Sequence, residues 1–381
     1  MSRRTKLALF GLVPLVLATT TAALVVRDDP PSRPADPVTR PAQRADIPRA
    51  HLLAVRRRGG VPASWIGRVR RTPGVGAVAR TARTQVLLRR SERARGATVD
   101  AAPRGYAIPL DALVVQPRPY ADVLPEARRE IDRLRRGTAL LSRTSARLRR
   151  LAVGDRLDVA GAGELRVAGI VDDRPAGLAE LVLSSRAARG RDQTEQLLVT
   201  TTRPELLARR FAREDAVRVR NVSARVTSTP RLIARPVEIK ARYGEFAVRL
   251  PYGEDWIGID PAWLRRNVVT RSVPILGTVT CNRRLFPPLR RALRALERRG
   301  LSRVVDRADY AGCFAPRRIP GSGSLSLHAW GLAIDINAAA NPRLGDSRQD
   351  RRLVRAMENA GFTWGGRWPT VPDPMHFELH P

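Results

Sequence analysis

The sequence predicts an α+β protein: an N-terminal membrane helix, a mixed α/β accessory domain, and a C-terminal domain in which helices flank a small antiparallel sheet. Three observations predict it. An apolar run over residues 7–26 follows Arg3, Arg4 and Lys6. Strand-like alternation and helix-like spacing interleave between residues 49 and 235. Three of the four histidines fall close to the C-terminus, beside apolar runs that read as buried strands. A length of 381 residues accommodates two cores, and 43% hydrophobic with 28% charged residues excludes wholesale disorder.

The apolar run reaches roughly 30 Å at about 1.5 Å per residue, enough to cross a bilayer core. Positive charge precedes it, which predicts the N-terminus inside and the remainder outside. Residues 1–26 read as a signal anchor, or as a signal peptide if the small residues between Ala18 and Ala23 serve cleavage. Either outcome exports the chain, as a single-pass membrane protein with extracytoplasmic domains or as a secreted one. Residues 27–48 are proline-rich and read as an extended linker.

Residues 49–235 form the accessory module. Within it, 64–69 read as a helix and Thr72-Pro73-Gly74-Val75 as a turn leading into a strand. Residues 120–151 carry helical spacing through Leu124, Ile131, Leu134, Leu140 and Leu141. Residues 153–159 and 164–171 alternate as two strands about a Gly-Ala-Gly turn. No polar constellation here suggests chemistry. The stretch with Leu141-Ser142-Arg143-Thr144-Ser145-Ala146 and Val153-Gly154-Asp155 resembles the extracytoplasmic module of MacB/FtsX-type membrane permeases. That resemblance implies a non-catalytic folding or interaction module; an unrelated α+β spacer is the alternative.

The chemistry lies in residues 236–381, with a motif-bearing core at 277–381. Ser326-Leu327-His328-Ala329-Trp330-Gly331-Leu332-Ala333-Ile334-Asp335 is followed later by Asp373-Pro374-Met375-His376-Phe377-Glu378. Two histidines and an aspartate suit a catalytic zinc site with three protein ligands and one open position. Run straight, residues 328–335 would separate their side chains by roughly 23 Å at about 3.3 Å per residue. The chain must fold back, and Gly331 supplies the bend. Leu332, Ala333, Ile334 and Ile336 read as a buried strand fixing Asp335. Two neutral imidazoles and one carboxylate leave Zn2+ a net positive charge, so bound water falls from a pKa of about 15.7 to about 7. Asp373, between Pro372 and Pro374, is the candidate proton carrier. His51 and His380 lack such company and read as surface residues.

Residues 277–381 resemble the VanY-like zinc D-alanyl-D-alanine carboxypeptidases and their L-alanyl-D-glutamate endopeptidase relatives. The resemblance rests on the two motifs above with Val279-Thr280-Cys281-Asn282-Arg283, Tyr310-Ala311-Gly312-Cys313-Phe314, Arg317-Arg318-Ile319, Ile334-Asp335-Ile336-Asn337 and Gly361-Phe362-Thr363-Trp364-Gly365-Gly366. It implies zinc ligands at His328, Asp335 and His376 and the catalytic acidic residue at Asp373, where some members have Glu. It implies that Arg317, with Arg318 an adjacent competitor, holds the substrate carboxylate or the oxyanion, which a guanidinium grips with two prongs. Ser326 either donates a hydrogen bond in the site or caps the turn. Trp364 and Trp368 are candidate cleft walls; Trp330 serves as wall or as core. Glu378 orients a ligand histidine through its other ring nitrogen.

Supporting helices carry Leu289, Leu293 and Leu296, between Pro287-Pro288 and Gly300, and Leu353, Ala356, Met357 and Ala360, with Asp346 or Ser347 as cap and Gly361 as stop. Cys281 and Cys313 pair outside the cytoplasm or remain separate buried thiols. Two cysteines exclude a disulfide scaffold and a four-thiolate zinc site. The expected function is hydrolysis of peptide bonds in peptidoglycan stem peptides of a bacterial cell wall; the alternative is a non-catalytic peptidoglycan-binding, sensor or scaffold protein.

The net charge is +33, and all but two of the 69 basic residues are arginine. An arginine excess also arises from coding bias, so it names no partner by itself. No aromatic-and-basic motif accompanies it, which excludes nucleic acid as the partner. Outside the membrane, anionic lipid or anionic wall polymers would attract so basic a chain.

Overall fold

Alternation of inward and outward side chains closes the middle of the chain on itself. Strands Val75–Glu92, Arg156–Ala160, Gly163–Val171, Thr138–Ser142, Leu181–Ser184 and Tyr106–Val115 pair in that order, and the last pairs back onto the first. Every second residue joins one buried cluster: Val86 and Leu88, Leu157 and Val159, Leu165 and Val167, Ala139 and Leu141, Leu181 and Leu183, Leu110 and Ala112. Helices Pro117–Val123 and Arg128–Ile131 cover one outer face, laying Tyr120 and Ile131 near Leu113 and Leu140. Strands Thr194–Thr201 and His51–Arg57 extend the sheet from Val75–Glu92, backed by helices Ser64–Arg70 and Pro204–Phe211.

This computed structural model describes residues 50–381 except 58–59, 176, 178, 186–193, 213, 215–216, 223–235, 251–255, 320–323, 369–370 and 381. The expected membrane segment and linker, residues 1–48, lie outside the described residues. Among the described residues no helix is long and apolar enough to cross a membrane.

The fold is mixed α and β, and two local expectations need correction. Residues 120–151 are not continuously helical: the strand Thr138–Ser142 separates the helices before it from Arg143–Arg149. All five of its residues are buried, and an unbroken apolar run carries no period that separates a strand from a helix. Gly137, at φ 78°, turns the chain into it. The helix Arg351–Asn359 is capped by Asp350, whose carboxylate accepts from the Arg352 N–H at 2.7 Å, and not by Asp346 or Ser347. Side chains hold the preceding residues out of the helix: Asn341 accepts from the Arg348 N–H at 2.8 Å, and Gln349 donates to the Ile336 carbonyl at 2.9 Å.

Toward the C-terminus, strands Tyr310–Gly312, Ala333–Ile336, His376–Leu379 and Phe362–Trp364 form an antiparallel sheet in that order. Leu289, Leu293 and Leu296 of the helix Phe286–Arg298, with Leu353 and Met357 of Arg351–Asn359, pack with Ile334, Ile336 and Phe377 of the sheet. Both leucine stripes therefore face the core, as their spacing predicts.

The helix Pro236–Tyr243 carries Lys240 into the closed strand circuit. Its ammonium donates to the Pro109 carbonyl and to both Glu180 carboxylate oxygens, at 2.8 and 3.1 Å. Arg149 donates to Glu180 at 2.7 Å and also to Glu245. Burial disfavours the Glu180 charge, but Lys240 and Arg149 hold its carboxyl below its ordinary value. Two cations thus balance two carboxylates in a buried site, a polar constellation not read from the sequence.

Lys240→Met leaves Glu180 short of a partner and is expected to cost about 3–5 kcal/mol by urea denaturation. Lys240→Met with Glu180→Leu restores the charge balance and should recover about half of that loss. Losses that simply add would show that the two groups are not coupled.

Candidate metal centre

The site is assembled by one turn and two neighbouring strands. Ser326 is extended, and its hydroxyl accepts from the His328 N–H at 3.3 Å, starting the 3-10 turn Leu327–Trp330. Of the two roles open to Ser326, it fills the cap. Gly331 ends the turn at φ 65°, and a Cβ there would stand 2.6 Å from the Asn282 backbone nitrogen. Only glycine meets both demands. The fully buried strand Ala333–Ile336 follows, and Asp335 is the register partner of His376 on His376–Leu379. Side chains opposite each other on an antiparallel pair share a face.

Candidate ligand atoms of His328, Asp335 and His376 all lie within 4.8 Å of one another, and all three residues are buried. His328 Nε2 stands 3.1 Å from His376 Nδ1 and 3.2 Å from Asp335 Oδ2. His376 Nδ1 stands 2.8 Å from Asp335 Oδ1. Each imidazole has its other nitrogen engaged: His328 Nδ1 donates to the Cys313 carbonyl at 2.7 Å, and His376 Nε2 to Glu378 Oε1 at 3.0 Å. Tethers of this kind orient metal-binding histidines.

Electrostatics favour positive charge at the centre. Burial pushes the Asp335 carboxyl up, but hydrogen bonds from both histidines hold it far below the usual carboxylate range. Burial opposes charge on His376, yet the Asp335 and Glu378 carboxylates raise it to about 10. Burial likewise opposes charge on Glu378, whose bonds to His376 and His380 hold it at about 2.

The donor set fits a divalent ion. Two imidazole nitrogens and a carboxylate, already tethered from behind, are the chemistry such an ion takes in a site with an open position. Metal–ligand bonds of about 2.0–2.1 Å give tetrahedral edges of about 3.3–3.4 Å. The observed separations fall somewhat under those edges, so a small outward movement of the side chains admits the ion.

Asp373 sits on the turn just before His376–Leu379. Its N–H donates to the Gly365 carbonyl at 3.0 Å, and its own carbonyl accepts from the His376 N–H at 3.1 Å. A Cβ on Gly365 would approach the Asp373 carbonyl to 2.7 Å, so glycine permits this contact. Asp373 Oδ1 is buried and has no hydrogen-bond partner among the described residues. Burial raises its carboxyl above the ordinary value, and the charge of Asp335 adds to the rise.

The other sequence candidates divide. Trp368 stacks at a tilt 5.3 Å from the His376 ring. Trp364 donates to the Pro374 carbonyl at 2.8 Å and so braces the Asp373 turn. Trp330 belongs to the core, 4.6 Å from Phe246, with its indole N–H on the Gly244 carbonyl. Arg317 accepts from the Ser326 N–H through its carbonyl at 3.1 Å, and its backbone bridges to that of Trp256. The Arg318 backbone bridges to Leu325. Both arginines thus flank the segment entering the His328 turn, with half-buried side chains. Cys281 and Cys313 are joined in a disulfide. His51 lies on the strand His51–Arg57, beside Asn221 at 3.2 Å.

His380 is not a free surface residue. Its Nε2 donates to Glu378 Oε2 at 2.8 Å, its Nδ1 lies 3.3 Å from the Thr363 hydroxyl, and its carbonyl accepts from the Tyr243 hydroxyl at 2.9 Å. The signal was present: residues 376, 378 and 380 alternate, which puts all three on one face of an extended chain.

Comparisons with known proteins come from two directions. The periplasmic region of MacB from Actinobacillus actinomycetemcomitans is similar over 45% of this chain and 88% of its own, at 9% identity and a TM-score of 0.29. The extracellular domain of the noncanonic ABC-type transporter YknZ from Gram-positive bacteria is similar over 45% and 100%, at 13% identity and a TM-score of 0.30. No curated protein matches the chain. Residues 320–379, which hold His328, Asp335, Asp373 and His376, match the family model described as D-alanyl-D-alanine carboxypeptidase.

Proposed function

We propose that this chain is an extracytoplasmic zinc metallopeptidase that hydrolyses peptide bonds in peptidoglycan stem peptides, of the D-alanyl-D-alanine carboxypeptidase type. The observation that carries this reading is the convergence of His328, Asp335 and His376 on one point inside the matched segment. The buried, unpartnered Oδ1 of Asp373 supports it, since an orphan acceptor is costly to a merely structural site. Export rests on the N-terminal apolar run and the positive charge preceding it.

His328 through Nε2, His376 through Nδ1 and Asp335 through its carboxylate would hold the zinc. When bound, zinc supplies a Lewis acid for the amide carbonyl and lowers the pKa of water to about 7. The Cys313 carbonyl and the Glu378 carboxylate fix the tautomer and aim of the two imidazoles. Asp373 accepts the proton that the attacking water sheds and returns it to the leaving amine nitrogen. A carboxyl raised by burial suits the second half of that transfer. Arg317, with Arg318 beside it, grips the carboxylate of the peptide, while Trp364 and Trp368 wall the cleft.

Asp373→Ala is expected to retain zinc by metal analysis while kcat on a muropeptide ending in D-Ala-D-Ala falls about 10²–10⁴-fold. Undiminished turnover removes Asp373 from this role. In the zinc-free chain burial raises the Asp373 carboxyl, so its protonation followed by carboxyl NMR should lie above the ordinary aspartate value of about 4. Mass spectrometry with and without a chelator tests the whole reading, because equal product in both arms rejects it.

Glu378→Gln should weaken zinc binding about 10–100-fold, read by competition with a chelating dye. His380→Ala should shift it the same way by less. Unchanged affinity in both variants would reduce this chain of side chains to packing.

A further inference from the structure

The helix Phe286–Arg298 borders two neighbouring concavities of about 350 and 430 Å³, with Arg291 and Arg298 lining both and Arg351–Asn359 lining the second. Arginine makes up most of the lining of the first, and Arg299, Arg352 and Arg355 also line the second. No acidic residue lines either one. Some of the arginines are occupied: Arg290 donates to the Ser272 carbonyl, Arg291 to the Ala360 carbonyl, and Arg352 pairs with Asp350 at 2.6 Å. Arg294, Arg298 and Arg355 are exposed and point to no carboxylate among the described ion pairs.

Arg290, Arg294 and Arg298 follow one another at four-residue steps, a row spaced by roughly 6 Å along the helix. Like charges at that spacing destabilise a helix, so helix stability does not account for the row. A partner bearing repeated negative charge would offset that repulsion. We propose that this groove binds a linear polyanion with phosphodiesters at regular intervals along its backbone. Guanidinium forks match phosphate oxygens in pairs, and an open concavity can seat an extended chain. A bilayer would instead favour a surface with apolar side chains free to insert. The aromatic ring at this groove, Phe286, is only 1% exposed, with Arg271 and Arg290 over it at 5.7 and 5.8 Å. The same burial denies single-stranded nucleic acid a ring on which to stack. Nothing in this inference depends on the peptidase reading.

The full chain is titrated with poly(glycerol phosphate) at several salt concentrations. Affinity should fall linearly with salt on logarithmic axes. Arg294→Gln/Arg298→Gln/Arg355→Gln should weaken binding about tenfold or more and flatten that slope. Arg129→Gln/Arg133→Gln/Arg136→Gln, which removes the same charge from the accessory module, should leave both nearly unchanged. Equal losses in the two variants would make the effect one of net charge and overturn the groove. So would absent binding by the wild type, or tighter groove-dependent binding of equimolar phosphatidylglycerol–phosphatidylcholine vesicles or of a single-stranded oligonucleotide. Phenylglyoxal modification, mapped by peptide mass spectrometry, tests the native chain without substitution. Bound polymer should protect Arg294, Arg298 and Arg355, and modification at the unliganded rate overturns the proposal.

Discussion

The pairing of Asp335 with His376 across two antiparallel strands is the constraint on which the C-terminal centre rests. Side chains on a strand alternate between faces, so a slip of one residue would carry the carboxylate to the opposite side of the sheet. The alternate residues Ile334 and Phe377 are themselves register partners and lie fully buried in the core. The apolar core therefore sets the register, and the register sets how Asp335 and His376 meet. Burying the Asp335 carboxylate is costly in isolation. Two imidazoles at hydrogen-bonding distance offset that cost, and the same contacts that stabilise the apolar sheet bring them there.

Close backbone approach supplies the second constraint. Gly331 and Gly365 each stand where a methyl group would collide with main-chain atoms, one against Asn282 and the other against Asp373. The first lets the His328 turn lie against the strand Gly277–Asn282, which the disulfide also ties to Cys313. The second lets the Asp373 turn fold down beside His376. Neither glycine brings a side chain to the centre, yet each determines where a neighbouring turn sits.

Much of the candidate site was legible because its signals are local. The spacing of His328, Gly331 and Asp335 required a bend, and a left-handed glycine turn provides it. Apolar stripes at Leu289, Leu293 and Leu296 and at Leu353 and Met357 report burial directly, since a helix repeats within a few residues. The strand Thr138–Ser142 was hidden because residues buried on both faces lose the alternation that marks a strand. The closing pair of Val75–Glu92 with Tyr106–Val115, and the union of Arg149, Glu180, Lys240 and Glu245, depend on contacts distant in the chain, which composition and periodicity do not encode. Asp350 caps its helix, while Asn341 and Ser347 accept from the N–H groups of Arg348 and Gln349 in the turn before it. His380 was the avoidable omission, since two-residue alternation from His376 already pointed to it.

Trp330 has a further consequence for where the functional unit begins. It belongs to the turn that carries His328, but it rests on Phe246 and donates to the Gly244 carbonyl, while Tyr243 reaches the carbonyl of His380. The foundation of the centre is thus laid well upstream of the stretch that carries its recognisable motifs. A fragment trimmed to those motifs would expose a large indole and unfasten the last strand. A version of this centre that keeps Trp330 and the last strand covered is accordingly longer than its signature, and includes the helix that carries Tyr243.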